Sequence, residues 1–69
     1  MMGEYMAYSE AIKILRKKLI LSQMEFAKLL GVSFATVNRW ETGRFEPTIK
    51  SKRKLAVYFK KYKIDLGDK

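Results

Sequence analysis

The side chains able to do chemistry are few in kind. The 69 residues contain no cysteine and no histidine. That removes thiolate chemistry, disulfide staples, and the commonest general base and metal ligand. The seven Asp+Glu are scattered, with no nucleophile–base set and no phosphate-cradling loop, so an enzyme is not expected. Neither is a cofactor or a metal. Positive charge is abundant instead: fifteen Lys+Arg give a formal net charge of +8. On so small a body this favours a polyanionic partner, nucleic acid first and an anionic membrane surface second. Among these cations arginine is the one equipped to read a base edge: its fork matches O6 and N7 of guanine, a contact worth about 1–3 kcal/mol of discrimination.

Positioning such a group requires a folded body. The chain is long enough for one domain and must build an economical core. Apolar residues make up 48% of it, enough for a globular fold. Gly31, Gly43 and Pro47 punctuate it into four helical stretches. The first runs from about Ser9 to Leu21, with Ser9 as N-cap and Ile12, Leu15 and Leu19 on one face. The second runs from Ser22 to Leu30. Ser22 and Glu25 form an S-x-x-E capping box, Phe26, Ala27 and Leu30 share a face, and Gly31 supplies a left-handed exit. The third runs from Ser33 to Thr42, capped by Ser33 and closed by Gly43, with Val37 and Trp40 one turn apart. The fourth starts at Thr48 and continues to about Tyr62, its apolar stripe being Leu55, Phe59 and Tyr62. No segment alternates apolar and polar residues long enough for a strand. No apolar run approaches the ~20 residues of a membrane span. Residues 1–8 read as a flexible leader without the pattern of a signal peptide, and a cytoplasmic location is expected.

Only Gly31-Val32-Ser33 separates the second helix from the third. So short a turn forces a steep crossing, for which Ala27 is suitably small. Phe26, Leu30, Val32, Val37 and Trp40 supply an inner side. Phe34, Ala35, Thr36, Asn38 and Arg39 remain outside, a face that can enter a major groove. Arg16 falls near the core side of the first helix, one turn after Ile12, where a charge needs a partner. Glu41, next to Trp40, is placed to provide it, and a salt bridge between the two is expected.

The segment from Ser22 to Pro47 resembles the helix-turn-helix of lambda-repressor-like (Xre/Cro) regulators. The resemblance rests on Ser22-Gln23 opening the second helix, on Ala27, Gly31 and Val37, and on Trp40-Glu41-x-Gly43-x-x-x-Pro47. It extends over roughly residues 9–66, with the helix-turn-helix proper at 22–42. It implies an all-α, four-helix DNA-binding domain with a rudimentary fifth helix, and the same Arg16–Glu41 pair. It places Phe34, Ala35 and Arg39 against bases. It places Gln23, Ser33, Thr36, Asn38, Arg44, Lys50 and Lys52 at phosphates or the groove edge. Phe34 stands where several relatives carry glutamine, and it either meets a thymine methyl or folds into the core. With Phe34 and Ala35 both apolar, direct readout looks thin, and modest specificity or reliance on DNA shape is expected. Residues 48 to 63 hold seven basic and no acidic residues, so binding should weaken steeply with salt.

The expected function is a sequence-specific regulator of transcription, a repressor, acting on double-stranded DNA. The alternative is the antitoxin of a toxin–antitoxin pair or the targeting module of a restriction-modification system. Relatives often dimerise through a fifth helix. Here the sequence ends soon after Ile64-Asp65-Leu66, so a weak homodimer, or one formed on DNA, is expected through Tyr58, Tyr62, Ile64 and Leu66. No small-molecule ligand and no membrane partner are expected. The fourth helix is basic and amphipathic, but its apolar stripe is needed by the core.

Overall fold

The computed structural model describes residues 7–66. Four helices follow one another, with no strand among the described residues: α1 Tyr8–Lys18, α2 Gln23–Leu30, α3 Phe34–Glu41 and α4 Ile49–Lys61. Hydroxyl caps start three of them. Ser22 Oγ accepts the Glu25 amide at 3.1 Å, and Glu25 Oε1 accepts the Ser22 amide at 2.8 Å. The hydrogen bond from the Ser22 amide, followed by that involving its hydroxyl, holds the Glu25 carboxyl below its ordinary range. Ser33 and Thr48 cap α3 and α4 by accepting the amides of Thr36 and Ser51.

The start of α1 departs from expectation. It begins at Tyr8, and its N-cap is Ala7, not Ser9. Tertiary packing accounts for the shift: the Tyr8 ring lies 6.2 Å from that of Phe59, centroid to centroid. Packing on α4 draws Tyr8 into the helix, although Ser9 has the better capping side chain. Tyr8 therefore belongs to the helical body, not to a leader. The expected leader's residues 1–6 lie outside the described residues.

All four helices end in the same way. After each, one residue turns left-handed, and the amide of the next residue reaches back to a carbonyl in the last helical turn. The turning residues are Ile20, Gly31, Gly43 and Lys63, with φ of 57°, 73°, 80° and 57°. The returning bonds are Leu21 to Arg16 (3.2 Å), Val32 to Ala27 (3.0 Å), Arg44 to Arg39 (3.0 Å) and Ile64 to Phe59 (2.8 Å). Two of these exits use glycine, which adopts the conformation without steric cost. Ile20 does not have that freedom, and its β-branched side chain is 87% exposed, so packing does not compensate for the strain. The expected end of α1 at Leu21 is thus too late, because no glycine marks the turn.

The core joins Ile12 and Leu15 of α1, Phe26 and Leu30 of α2, Val37 and Trp40 of α3, and Leu55 and Phe59 of α4. Ala27 is buried with them where α2 meets α3, and Val32 is half-buried in the turn. Ile64 is also buried. It is a core residue because the left-handed turn at Lys63 folds it back under Phe59. It is therefore not part of a pairing surface, and Tyr58, Tyr62 and Leu66 are themselves partly buried against the core.

One ion pair crosses this core. Arg16 donates from Nε to Glu41 Oε2 at 2.7 Å and from Nη2 to Oε1 at 3.0 Å. Its Nη1 donates to the Leu21 carbonyl at 3.1 Å. The hydrogen bond to Glu41 raises the Arg16 pKa further against the opposing effect of burial. Glu41 is only 6% exposed, so its carboxylate depends on these donors.

Stability measurements on four variants follow. Arg16→Met should lower the unfolding free energy in urea by about 3 kcal/mol, because it strands a buried carboxylate. Adding Glu41→Leu should restore part of that loss, and a double variant no more stable than Arg16→Met would refute the pairing energetics. Ile20→Gly should raise stability by about 1 kcal/mol through relief of left-handed strain. Gly31→Ala should lower it by a similar amount. An added Cβ at Gly31 would meet Lys54 Nζ at 3.6 Å, an ordinary contact, so the loss would come from backbone strain.

Candidate nucleic-acid interface

The outer face of α3 is built by subtraction. Val37, Trp40 and Glu41 turn inward. Phe34, Ala35, Asn38 and Arg39 are exposed, and Thr36 is half-buried. Phe34 is 48% exposed, so it faces out of the domain and the core alternative does not hold. As first residue of the helix it lies one turn before exposed Asn38 and shares the outer row with it.

Several polar groups of the expected interface already hold one another. Gln23, first residue of α2, donates from Nε2 to Glu41 Oε1 at 3.0 Å and accepts from Asn38 Nδ2 at 3.4 Å. The buried ion pair is thereby connected through one amide to the outer face of α3. This leaves Gln23 with one N–H, and Asn38 with one N–H and its carbonyl oxygen, for an external acceptor or donor. Ser33 and Thr36 share a hydrogen bond of 2.9 Å between their hydroxyls. One hydroxyl hydrogen of that pair stays available. These four residues thus form two pairs, one joining the first residue of α2 to the outer face of α3 and one at the start of α3.

The basic residues divide. Arg44 and Lys50 are exposed. Lys52 already has intramolecular partners: its Nζ lies 3.1 Å from Glu46 Oε1 and 4.9 Å from the centre of the Tyr8 ring. Lys54 donates to the Leu30 carbonyl at 3.0 Å. There it satisfies an unpaired acceptor at the C-terminus of α2, where a cation is also favoured by the helix dipole. Sequence reasoning grouped Lys54 with the other lysines of α4; no local signal distinguishes a lysine that caps a neighbouring helix.

Phe45 escaped the sequence reading. It is 62% exposed, and the Arg39 guanidinium sits 5.8 Å from the centre of its ring. The Gly43 turn that brings the two together could have been found from the Trp40-Glu41-x-Gly43 spacing. Among the described residues no acidic cluster is arranged to hold a metal ion, and no helix is long and apolar enough to cross a membrane.

What the site offers is a short helix with a polar and aromatic outer face, a helix N-terminus beside it, and exposed cations behind it. It has the layout of a surface that binds a nucleic-acid backbone and probes one groove. Comparison with known proteins gives the family. A family model described as helix-turn-helix matches residues 12–66. No curated protein and no solved structure matches the chain. Since the matched segment spans most of the chain and contains all four helices but the first turn of α1, the chain belongs to the lambda-repressor-like (Xre/Cro) helix-turn-helix family of DNA-binding domains.

Proposed function

We propose that the chain is a sequence-specific regulator of transcription, a cytoplasmic repressor that acts by occupying double-stranded DNA with α3 in the major groove. The observation that carries this reading is the exposed face of α3, fixed from behind by the Arg16–Glu41 pair. In this reading Arg39 reads guanine, and Phe34 and Ala35 contribute apolar contacts, most usefully to thymine methyls. Gln23, Ser33, Thr36 and Asn38 fix the register on phosphates near the groove edge. Arg44 and Lys50 extend that grip. Lys52 contributes mainly to the local potential, because Glu46 and Tyr8 already hold it.

The division between bases and phosphates gives two distinguishable signatures. Selection from random duplex DNA should enrich a short motif containing guanine, and Arg39→Ala should flatten the preference at that guanine by about 1–3 kcal/mol. Arg44→Ala should weaken binding to all sequences alike. It should also make the log–log salt dependence shallower by about one unit, as expected for one lost phosphate contact. Enrichment of no motif by the wild-type domain would refute sequence-specific regulation. Selection of the same motif by Arg39→Ala would remove that residue from base readout.

A further inference from the structure

The loop after α3 is fastened to the residue proposed to read DNA. Gly43 turns left-handed at φ 80°. The Arg44 amide then returns to the Arg39 carbonyl at 3.0 Å, and Thr42 Oγ1 donates to the same carbonyl at 3.1 Å. On the far side, Pro47 is buried and Glu46 pairs with Lys52. Phe45 is thus held between two anchored neighbours, yet its ring is 62% exposed and forms no part of the core. A large apolar side chain kept in solvent by a tethered loop gains little from folding. The ring faces Arg39, whose guanidinium lies 5.8 Å from the ring centre.

The chemistry of that contact suits a reader. A free arginine samples many rotamers, and ordering it on binding costs affinity. A carboxylate partner would order it but would occupy the same N–H groups that a guanine needs. An aromatic ring attracts the cation through its π-face and leaves the donors uncommitted. Among the described residues the Arg39 guanidinium makes no hydrogen bond and no ion pair, so its fork remains whole. We propose that Phe45 is a positioning residue: its ring holds the Arg39 fork ready for guanine and thereby sets how sharply the domain discriminates at that base. This rests on the reading of Arg39 as the base contact.

The test uses the whole chain and two duplexes: the site enriched from random DNA, and the same site with the Arg39-dependent guanine replaced by adenine. The readout is the ratio of the two affinities. Phe45→Tyr, which keeps the ring, should leave the ratio within about 2-fold. Phe45→Leu, which keeps apolar bulk without a ring, should lower it roughly 3- to 10-fold. The thermal midpoint should not move, since the ring is exposed. In an Arg39→Ala background Phe45→Leu should lower the ratio no further, because the two residues act as one unit. A wild-type ratio in Phe45→Leu, or equal weakening of both duplexes, would overturn the positioning role even where Arg39→Ala abolishes discrimination. Discrimination surviving in Arg39→Ala would overturn the reading of Arg39 itself, and the positioning role with it.

Discussion

The buried carboxylate of Glu41 is the constraint on which the arrangement depends. It sits at the end of an eight-residue helix, and a helix of that length is not stable by itself in water. Two arginine nitrogens from α1 and one amide from α2 converge on its two oxygens. A single charge therefore ties three helices at one point. Burying it would be costly without those donors, so the geometry is specified closely: a small rotation of α3 would leave an unpaired charge in the core. Hydrophobic contacts bring α3 to the body, and the ion pair fixes its angle.

Economy runs through the rest of the fold. A domain this small has little interior to spend on stability, and it relies on satisfying helix ends. Ser22, Ser33 and Thr48 supply amide acceptors at the starts. Left-handed exits absorb terminal carbonyls at the ends, and Lys54 takes one more. The exits also redirect the chain. The turn at Gly31 sets α3 across α2, and the turn at Lys63 returns Ile64 to the core.

Much of this was legible in the sequence, and the reasons are local. Capping residues and glycines act on their immediate neighbours, so Ser22, Ser33, Thr48, Gly31 and Gly43 announce their roles. The inner residues of α3 follow from helical spacing. What stayed hidden depends on distant partners. Tyr8 enters α1 because Phe59 is there to meet it. Ile20 turns left-handed although its own chemistry opposes that, because α2 must start nearby. Lys54 and Lys52 look alike in a run of cations, yet one caps α2 and the other is held by Glu46 and Tyr8. Ile64 looks like a surface residue until the turn before it is known. On the outer face, the residue types at Phe34, Ala35 and Arg39 were visible, but the ring beside Arg39 was not.

The division of α3 into an inner and an outer side bears on how such a domain can diversify. Val37, Trp40 and Glu41 carry the packing and the ion pair, while Phe34, Ala35 and Arg39 carry none of the core. Substitutions at the outer three leave the fold's energetics nearly untouched, since exposed positions away from caps and buried networks shift stability by only about ±0.5 kcal/mol. Under the proposed readout, drift toward a new target sequence can therefore proceed without passing through unfolded intermediates, and one scaffold can be retuned residue by residue. Asn38 is the exception, because its link to Gln23 ties it to the interior; it marks where evolutionary freedom on this helix ends.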